Sequence, residues 1–480
     1  MRMLKSLAAL LFAATAVAAQ AGVPLAAPPV TLHDGAWRAT LATRGGELPF
    51  GLRLQDPAHV AEAAAAAAAE VQAARQRVLD TPTGRIRQSA PPAAPAAAPG
   101  PAGVSPASPA SGWRAWIVNG AEEIEIPDVR WSEGTLELSM PHYASRVLAT
   151  AGGDGASLDG EWLLDRGGTL ARLPFHARRD DAPRFAVVAP AAEAAPARAG
   201  LLGGTWSVTF ADDEDPAVGS FRQAPDGTAT GTFLTTTGDY RFLAGDARAA
   251  PGEPPGSGLR LSCFDGAHAF LFVARVQGDG TLAGDFWSRD GASVAWTARR
   301  DGNAALPDAF DQVHWKEGAR LDDVAFPDLD GVRRSLADPA FAGKARIVQI
   351  FGSWCPNCAD EALYLAELKR IYGPLGLSIV GIAFERTGEF ERDAVQVRRF
   401  AEHRGVTWPL LVAGLANKEK ATATLGLLDR IKGFPTTIFL HRDGRVAAVH
   451  SGYSGPATGD AHLRQRQEFA ELVETLLAEP

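Results

Sequence analysis

The stretch "ARIVQIFGSWCPNCADEALYLAELKRIYG", Ala345 to Gly373, constrains the fold more than any other part of the 480-residue chain. A short, mostly apolar and β-branched run of the buried-strand type leads straight into Cys355-Pro356-Asn357-Cys358. Leu365, Leu368, Ile371 and Tyr372 then follow at helical spacing until Gly373-Pro374 stops them. A cysteine pair at a strand-to-helix junction sits among free backbone N–H groups, at the positive end of the helix dipole, where a thiolate is favoured. Such placement lowers a thiol pKa from about 8.5 to roughly 3.5–7.5. Cys355 is expected to be the more exposed, nucleophilic member, and Cys358, one turn on, the resolving thiol.

The opening residues "MRMLKSLAALLFAATAVAAQAG" carry Arg2 and Lys5, an apolar run from Leu7 to Ala19 and the small-residue site Ala19-Gln20-Ala21. That is the pattern of a secretory signal over residues 1–21. The run is shorter than the roughly 20 residues a membrane span needs, and no later stretch is apolar enough to span. The mature chain is therefore expected in the periplasm and not as an integral membrane protein, an uncleaved anchor being the alternative. Exported proteins that rely on disulfides for stability are rich in cysteine, yet this chain has only Cys263, Cys355 and Cys358. The close pair asks for a chemical role. A zinc half-site would need two further ligands, and His403, His441 and His450 form no such cluster. A structural clip closing so short a loop stabilises little. No metal is expected, with Cu(I) handling by the two thiols and a histidine left open as an alternative. Cys263, in "RLSCFDG", is expected to be a buried core thiol, the alternative being that it accepts a mixed disulfide. The net charge of −9 is mild and spread out, without the clustered basic face of a nucleic-acid binder.

Between Ala61 and Ala110 the sequence turns into an alanine run and then a Pro/Ala/Gly/Ser tract that cannot bury enough surface to fold. Residues 57–112 read as a low-complexity insertion, and a second boundary is expected in "APAAEAAPARAG", Ala189 to Gly200. With the insertion set aside, an internal repeat emerges. "GAWRATL" (Gly35 to Leu41) aligns with "GTWSVTF" (Gly204 to Phe210), "SLDGEW" (Ser157 to Trp162) with "TLAGDF" (Thr281 to Phe286), and "HARRD" (His176 to Asp180) with "TARRD" (Thr297 to Asp301). Turn signals at Asp226-Gly227, Gly238-Asp239, Asp279-Gly280 and Asp290-Gly291 separate short alternating or apolar runs, so each copy is expected to be an antiparallel barrel or sandwich. Trp37, Trp206, Trp287 and Trp296 read as core more readily than as a ligand platform. The expected organisation is a first β repeat over 22–190, a second over 200–303 and an α/β domain over 311–480, in which strands alternate with helices before a hairpin at Asp443-Gly444 and a closing helix from about Asp460 to Leu477.

The segment from about His314 to Leu477 resembles the thioredoxin superfamily. Within it, the chain resembles the TlpA/ResA-like thiol–disulfide reductases of the bacterial periplasm and the outer face of the membrane. The residues that carry this are "VAFPDLDGVRRSLADPAFAGKARIVQIFGSWCPNCADEALYLAELKRIYG" and the distant "GFPTTIFLHRDGRV". The resemblance implies a thioredoxin-like fold in which Cys355 and Cys358 are the redox pair and Pro435 is a cis-proline facing them. Phe434 would offer backbone groups to an extended segment of a partner, with Thr436 beside it. Glu361 matches a carboxylate placed near the pair for proton transfer, the alternative being a solvated glutamate that complements the helix dipole. Trp354 either shields the disulfide or packs as core.

One departure stands out. Cytoplasmic thioredoxins carry a buried aspartate six residues before the first cysteine, and here that position is Gln349, which cannot accept the proton, so the acid–base role passes to Glu361. The expected activity is thiol–disulfide exchange with protein partners, most readily as a reductase, with no cofactor beyond the Cys355–Cys358 dithiol and with electrons from another protein such as a membrane thiol relay. The alternative from another class is an envelope binding protein whose β repeats hold a ligand or partner and whose redox domain is accessory.

Overall fold

The computed structural model describes residues 30–60, 69, 72, 112–180, 184–185, 202–247, 258–321 and 324–479. The expected leader at 1–21, nearly all of the insertion at 57–112 and the boundary at 189–200 lie outside them.

The first β unit runs β1 (Gly35–Thr43), β2 (Gly46–Gln55), β3 (Arg114–Asn119), β4 (Glu122–Ile126), β5 (Asp128–Ser132), β6 (Thr135–Met140), β7 (Ser145–Ala151), β8 (Ser157–Asp165) and β9 (Leu170–Arg178). They form one antiparallel sheet in the order β4-β3-β2-β1-β9-β8-β7-β6-β5. The second unit runs β10 (Gly204–Phe210), β11 (Ala217–Gln223), β12 (Thr228–Thr235), β13 (Gly238–Asp239), β14 (Leu243–Asp246), β15 (Gly258–Phe264), β16 (Ala269–Val276), β17 (Leu282–Ser288) and β18 (Val294–Arg300). Here β11 pairs with β12 as well as with β10, so the ladder closes through β14, β15, β16, β17 and β18 into a barrel. The repeated segments take equivalent places: the first strand of each unit pairs with the last, β1 with β9 and β10 with β18.

Alternation explains the burial. Trp37, Ala39 and Leu41 of β1, and Trp206, Val208 and Phe210 of β10, point inward from every second position and are buried, as are Trp162 and Trp296. Trp287 is only half-buried, on the rim of the first unit's core. The turn expected at Gly238-Asp239 instead falls at Thr236-Thr237, because Gly238 and Asp239 pair back with Thr235 and Leu234 as β13. The two units pack together through buried polar contacts: Ser262 Oγ donates to the Pro49 carbonyl at 2.6 Å, and Asn119 Nδ2 to the Phe264 carbonyl at 2.8 Å.

Beyond a small hairpin of β19 (Ala325–Pro327) and β20 (Arg333–Ser335), the α/β domain holds a mixed sheet. Its strands are β21 (Ala345–Phe351), β22 (Leu377–Glu385), β23 (Leu410–Leu415), β24 (Thr436–Leu440) and β25 (Val446–Ser451), in the order β23-β22-β21-β24-β25. The first three are parallel and the last two antiparallel. Every residue of β21, β22 and β24 is buried, which fits a sheet covered on both faces and accounts for the unbroken apolar runs. The covering helices are α1 (Pro356–Tyr372), α2 (Phe390–Arg404), α3 (Lys418–Leu425) and α4 (Asp460–Ala478). Asn417 caps α3 and Gly405 ends α2 in the left-handed conformation. The arrangement places the end of the central strand β21, the start of α1 and the loop before β24 at one point, and the cysteine pair sits there.

Candidate active site

Cys355 is the N-cap of α1: its sulfur accepts from the Cys358 backbone N–H at 3.2 Å, the role an Asp or Ser usually fills. The two cysteines are disulfide-bonded, with Cα atoms 5.2 Å apart. Cys358 is fully enclosed while Cys355 keeps 6% of its surface, so the first member is the one with an opening to the outside. The Phe434–Pro435 peptide bond is cis, and the Phe434 carbonyl oxygen lies 3.4 Å from Cys355 Sγ. Trp354 is half-buried; its indole N–H donates to the Phe384 carbonyl at 3.0 Å, and its ring meets Phe434 edge-on at 5.6 Å. Thr436 is placed differently from the other residues grouped with it. It is fully buried and donates its hydroxyl to the Gly433 carbonyl at 2.8 Å, so its side chain holds the loop and is not exposed at the surface.

Glu361 is not the solvated first-turn residue of the alternative reading: it is fully buried. Thr437 Oγ1 donates to one carboxylate oxygen at 2.6 Å and Gln349 Nε2 to the other at 2.8 Å. The same Gln349 nitrogen lies 3.3 Å from the Cys358 carbonyl, so glutamine ties the carboxylate to the backbone of the second cysteine. Burial pushes the Glu361 carboxyl up to about 7, against the two hydrogen bonds that favour its charged form. That is the range in which a group exchanges protons readily at neutral pH.

A second carboxyl escaped the sequence reading. Glu385, at the end of β22, is buried, accepts from the Ser353 N–H and from its hydroxyl, each at 2.7 Å, and is pushed up to about 8 by burial. Its signal was present in "LSIVGIAFE", where an acid closes a strand with no exposed position. Beside it a cavity of about 360 Å³ is lined by Ser353, Trp354, Glu385, Arg386 and, from the first β unit, Tyr143 and Gly167. Arg386 lies over the Trp354 ring with its guanidinium carbon 5.2 Å from the centroid. The third cysteine, Cys263, is free, buried in β15 opposite Phe270, and burial pushes its thiol well above the ordinary range.

The family model described as Redoxin matches residues 316–463, the part of the chain that holds the cysteine pair, Glu361, Glu385, Trp354 and the Phe434–Pro435 bond. The chain carries a Redoxin domain over those residues. The chain is similar to the thiol–disulfide oxidoreductase ResA of Geobacillus thermodenitrificans, 27% identical over 135 residues that make up 28% of this chain and 69% of that protein. The ResA proteins of Geobacillus kaustophilus (27% over 146 residues, 30% of this chain and 75% of that protein) and Bacillus subtilis (26% over 136 residues, 28% and 68%) are similar in the same way. Among solved structures, a putative thiol:disulfide interchange protein DsbE from Chlorobium tepidum aligns over 34% of this chain and 100% of its own, at 16% identity and a TM-score of 0.27. A secreted Mycobacterium tuberculosis disulfide oxidoreductase aligns over 32% and 96%, at 18% identity and 0.24. The two β units lie outside the residues that the Redoxin model matches. Among the described residues, no helix is long and apolar enough to cross a membrane.

Proposed function

We propose that this chain reduces disulfides in protein partners outside the cytoplasm, using Cys355 and Cys358. The observation that carries the reading is Cys355 itself: a sulfur that caps α1, accepts a backbone N–H and keeps the pair's only exposed surface. In the dithiol state the Cys355 thiolate attacks one sulfur of the partner's disulfide. The other sulfur leaves as a thiolate and takes a proton, and a mixed disulfide joins Cys355 to the partner. The Cys358 thiolate then attacks Cys355 Sγ, closes the Cys355–Cys358 bond and releases the partner's second thiol. Two electrons pass to the partner in all. Glu361 takes the proton that Cys358 must lose, and Gln349, which cannot titrate, holds the carboxylate in place. Phe434 and Pro435 bound the face at which the partner's disulfide is presented, and Trp354, edge-on to Phe434, shields the pair. No further cofactor enters. Re-reduction requires a dithiol donor, and a membrane thiol relay supplies electrons of that kind.

The test is equilibration of the pair with glutathione redox buffers. A reductase is expected to have a potential nearer thioredoxin's, about −270 mV, than the roughly −120 mV of strong disulfide donors. A value at the oxidising end reverses the direction. Alongside it, Cys358→Ser is expected to accumulate mixed disulfides that Cys355→Ser does not. Normal function in a Cys355→Ser protein would instead make binding by the β units primary.

A further inference from the structure

The hairpin turn between β12 and β13, Thr236-Thr237, lies against the redox site of the other domain. Gly433 and Gly452 bracket the Phe434–Pro435 bond, and the Gly452 N–H donates to the Pro435 carbonyl at 2.9 Å. Both must be glycine because the turn comes so close. A Cβ on Gly433 would stand 2.7 Å from Thr237 Cγ2, and one on Gly452 2.9 Å from the Thr236 carbonyl oxygen. On the next residue of the hairpin, Gly238 is packed against the side chain of Asn357, which lies between the two cysteines. Asn357 Nδ2 donates to the Asp239 carbonyl at 3.3 Å.

The turn is anchored on both sides. Asp239 accepts from the Gly455 N–H at 2.6 Å, and Asp215 joins the Thr236 hydroxyl (2.8 Å) to Lys432 Nζ (2.9 Å), one residue before Gly433. Arg241, buried, pairs with Asp360 two residues after Cys358 and also reaches Glu122 of the first β unit at 3.4 Å and Asp265 at 3.5 Å. All three bodies of the molecule meet in that cluster.

We infer that the Thr235–Asp239 hairpin tip is the specificity element of the redox site, deciding by size and shape which disulfides reach Cys355. The inference rests on Cys355 being the exchanging thiol. An extended segment that lies along a loop needs its exposed backbone strip free. Here Thr237 stands against Gly433 and Thr236 against Gly452, on either side of Phe434–Pro435. With the tip docked, a small disulfide or one presented on a narrow tip reacts, and a long extended polypeptide segment is kept out until the hairpin yields.

The experiment compares reduction of 5,5′-dithiobis(2-nitrobenzoate) and of insulin by the full-length protein and by Asp215→Ala/Thr237→Gly, which removes the Lys432 anchor and the side chain against Gly433. Insulin reduction is expected to rise about fivefold or more while the small disulfide changes less than about twofold. Parallel changes, or no change with insulin, overturn the assignment. Should the double variant fail to fold, alkylation of the reduced wild-type protein decides. Cys355 should react with iodoacetamide at least about tenfold faster, relative to the unfolded chain, than with a maleimide carrying a long polyethylene glycol. Equal ratios sink the idea. If Cys355 reacts with neither small reagent, the exchange reading fails instead, so the two failures are told apart.

Discussion

The two flanks of the cysteine pair each hold one buried carboxyl, and burial raises both, yet their surroundings differ. Glu361, behind Cys358, is held by two side chains, Thr437 and Gln349, in an interior without charge partners at hydrogen-bond distance. Glu385, before Cys355, is held entirely by one residue, Ser353, through its N–H and its hydroxyl, and stands at a cavity beside Arg386. A carboxylate that grips a backbone N–H fixes the course of a loop, here the turn that delivers Trp354 and Cys355. One that is held only by neutral side chains can gain or lose a proton without moving the backbone. Similar shifts therefore arise in different settings, and a raised pKa beside a cysteine pair is no proof of proton transfer.

The sharpest way to break this contrast is Glu361→Gln. It is expected to slow disulfide exchange by about 10²-fold and to remove the limb of the pH–rate profile near 7. A profile that keeps that limb would transfer the role elsewhere, and Glu385 is the next claimant. Glu385→Gln is expected to change exchange by less than about threefold but to alter the pH dependence of stability. The folded Glu385 holds its proton up to about 8, while the unfolded carboxyl releases it near the ordinary 4.5. Folding thus takes up a proton in between, and its contribution to stability is greatest below 4.5 and falls as pH rises through that window. Urea titrations at pH 5 and pH 8 should show the loss shrinking in the variant by on the order of 1–3 kcal/mol. The smallest effect is expected for Ser353→Ala, which keeps the N–H and deletes the hydroxyl. It should cost about 1 kcal/mol at pH 8 in the same titration and push the Glu385 carboxyl higher still.

What could be read from the sequence was whatever is local. The strand, the Cys-x-x-Cys, the helix that follows and Glu361, three residues past Cys358, all lie within one short stretch. Phe434–Pro435 was found through family resemblance, as was the significance of Gln349. Glu385 lies 32 residues from Ser353 in the chain, and only the parallel pairing of β22 with β21 brings them together. Arg241 and Asp360 are 119 residues apart and belong to different domains. Asp239 was visible as a turn residue, but a turn signal says nothing about what the turn touches. Thr436 shows the opposite limit: its place beside the proline suggested an outward role, but it opens β24, a strand buried on both faces, and its side chain is enclosed.

The duplicated β units differ in one respect that bears on how the chain behaves in solution. A strand with a ladder partner on one side only is a template on which other chains can extend a sheet. Among the described residues, the second unit is a closed ring whose only one-sided strand is the two-residue β13, whereas the first ends on β4 and β5. Those strands are guarded by charge: β4 reads Glu-Glu-Ile-Glu-Ile, with Glu123 and Glu125 paired to Arg53 and Arg114, and β5 carries Asp128 and Arg130. Of the two β units, the first therefore holds both the greater liability for strand-mediated aggregation and the acidic residues that suppress it.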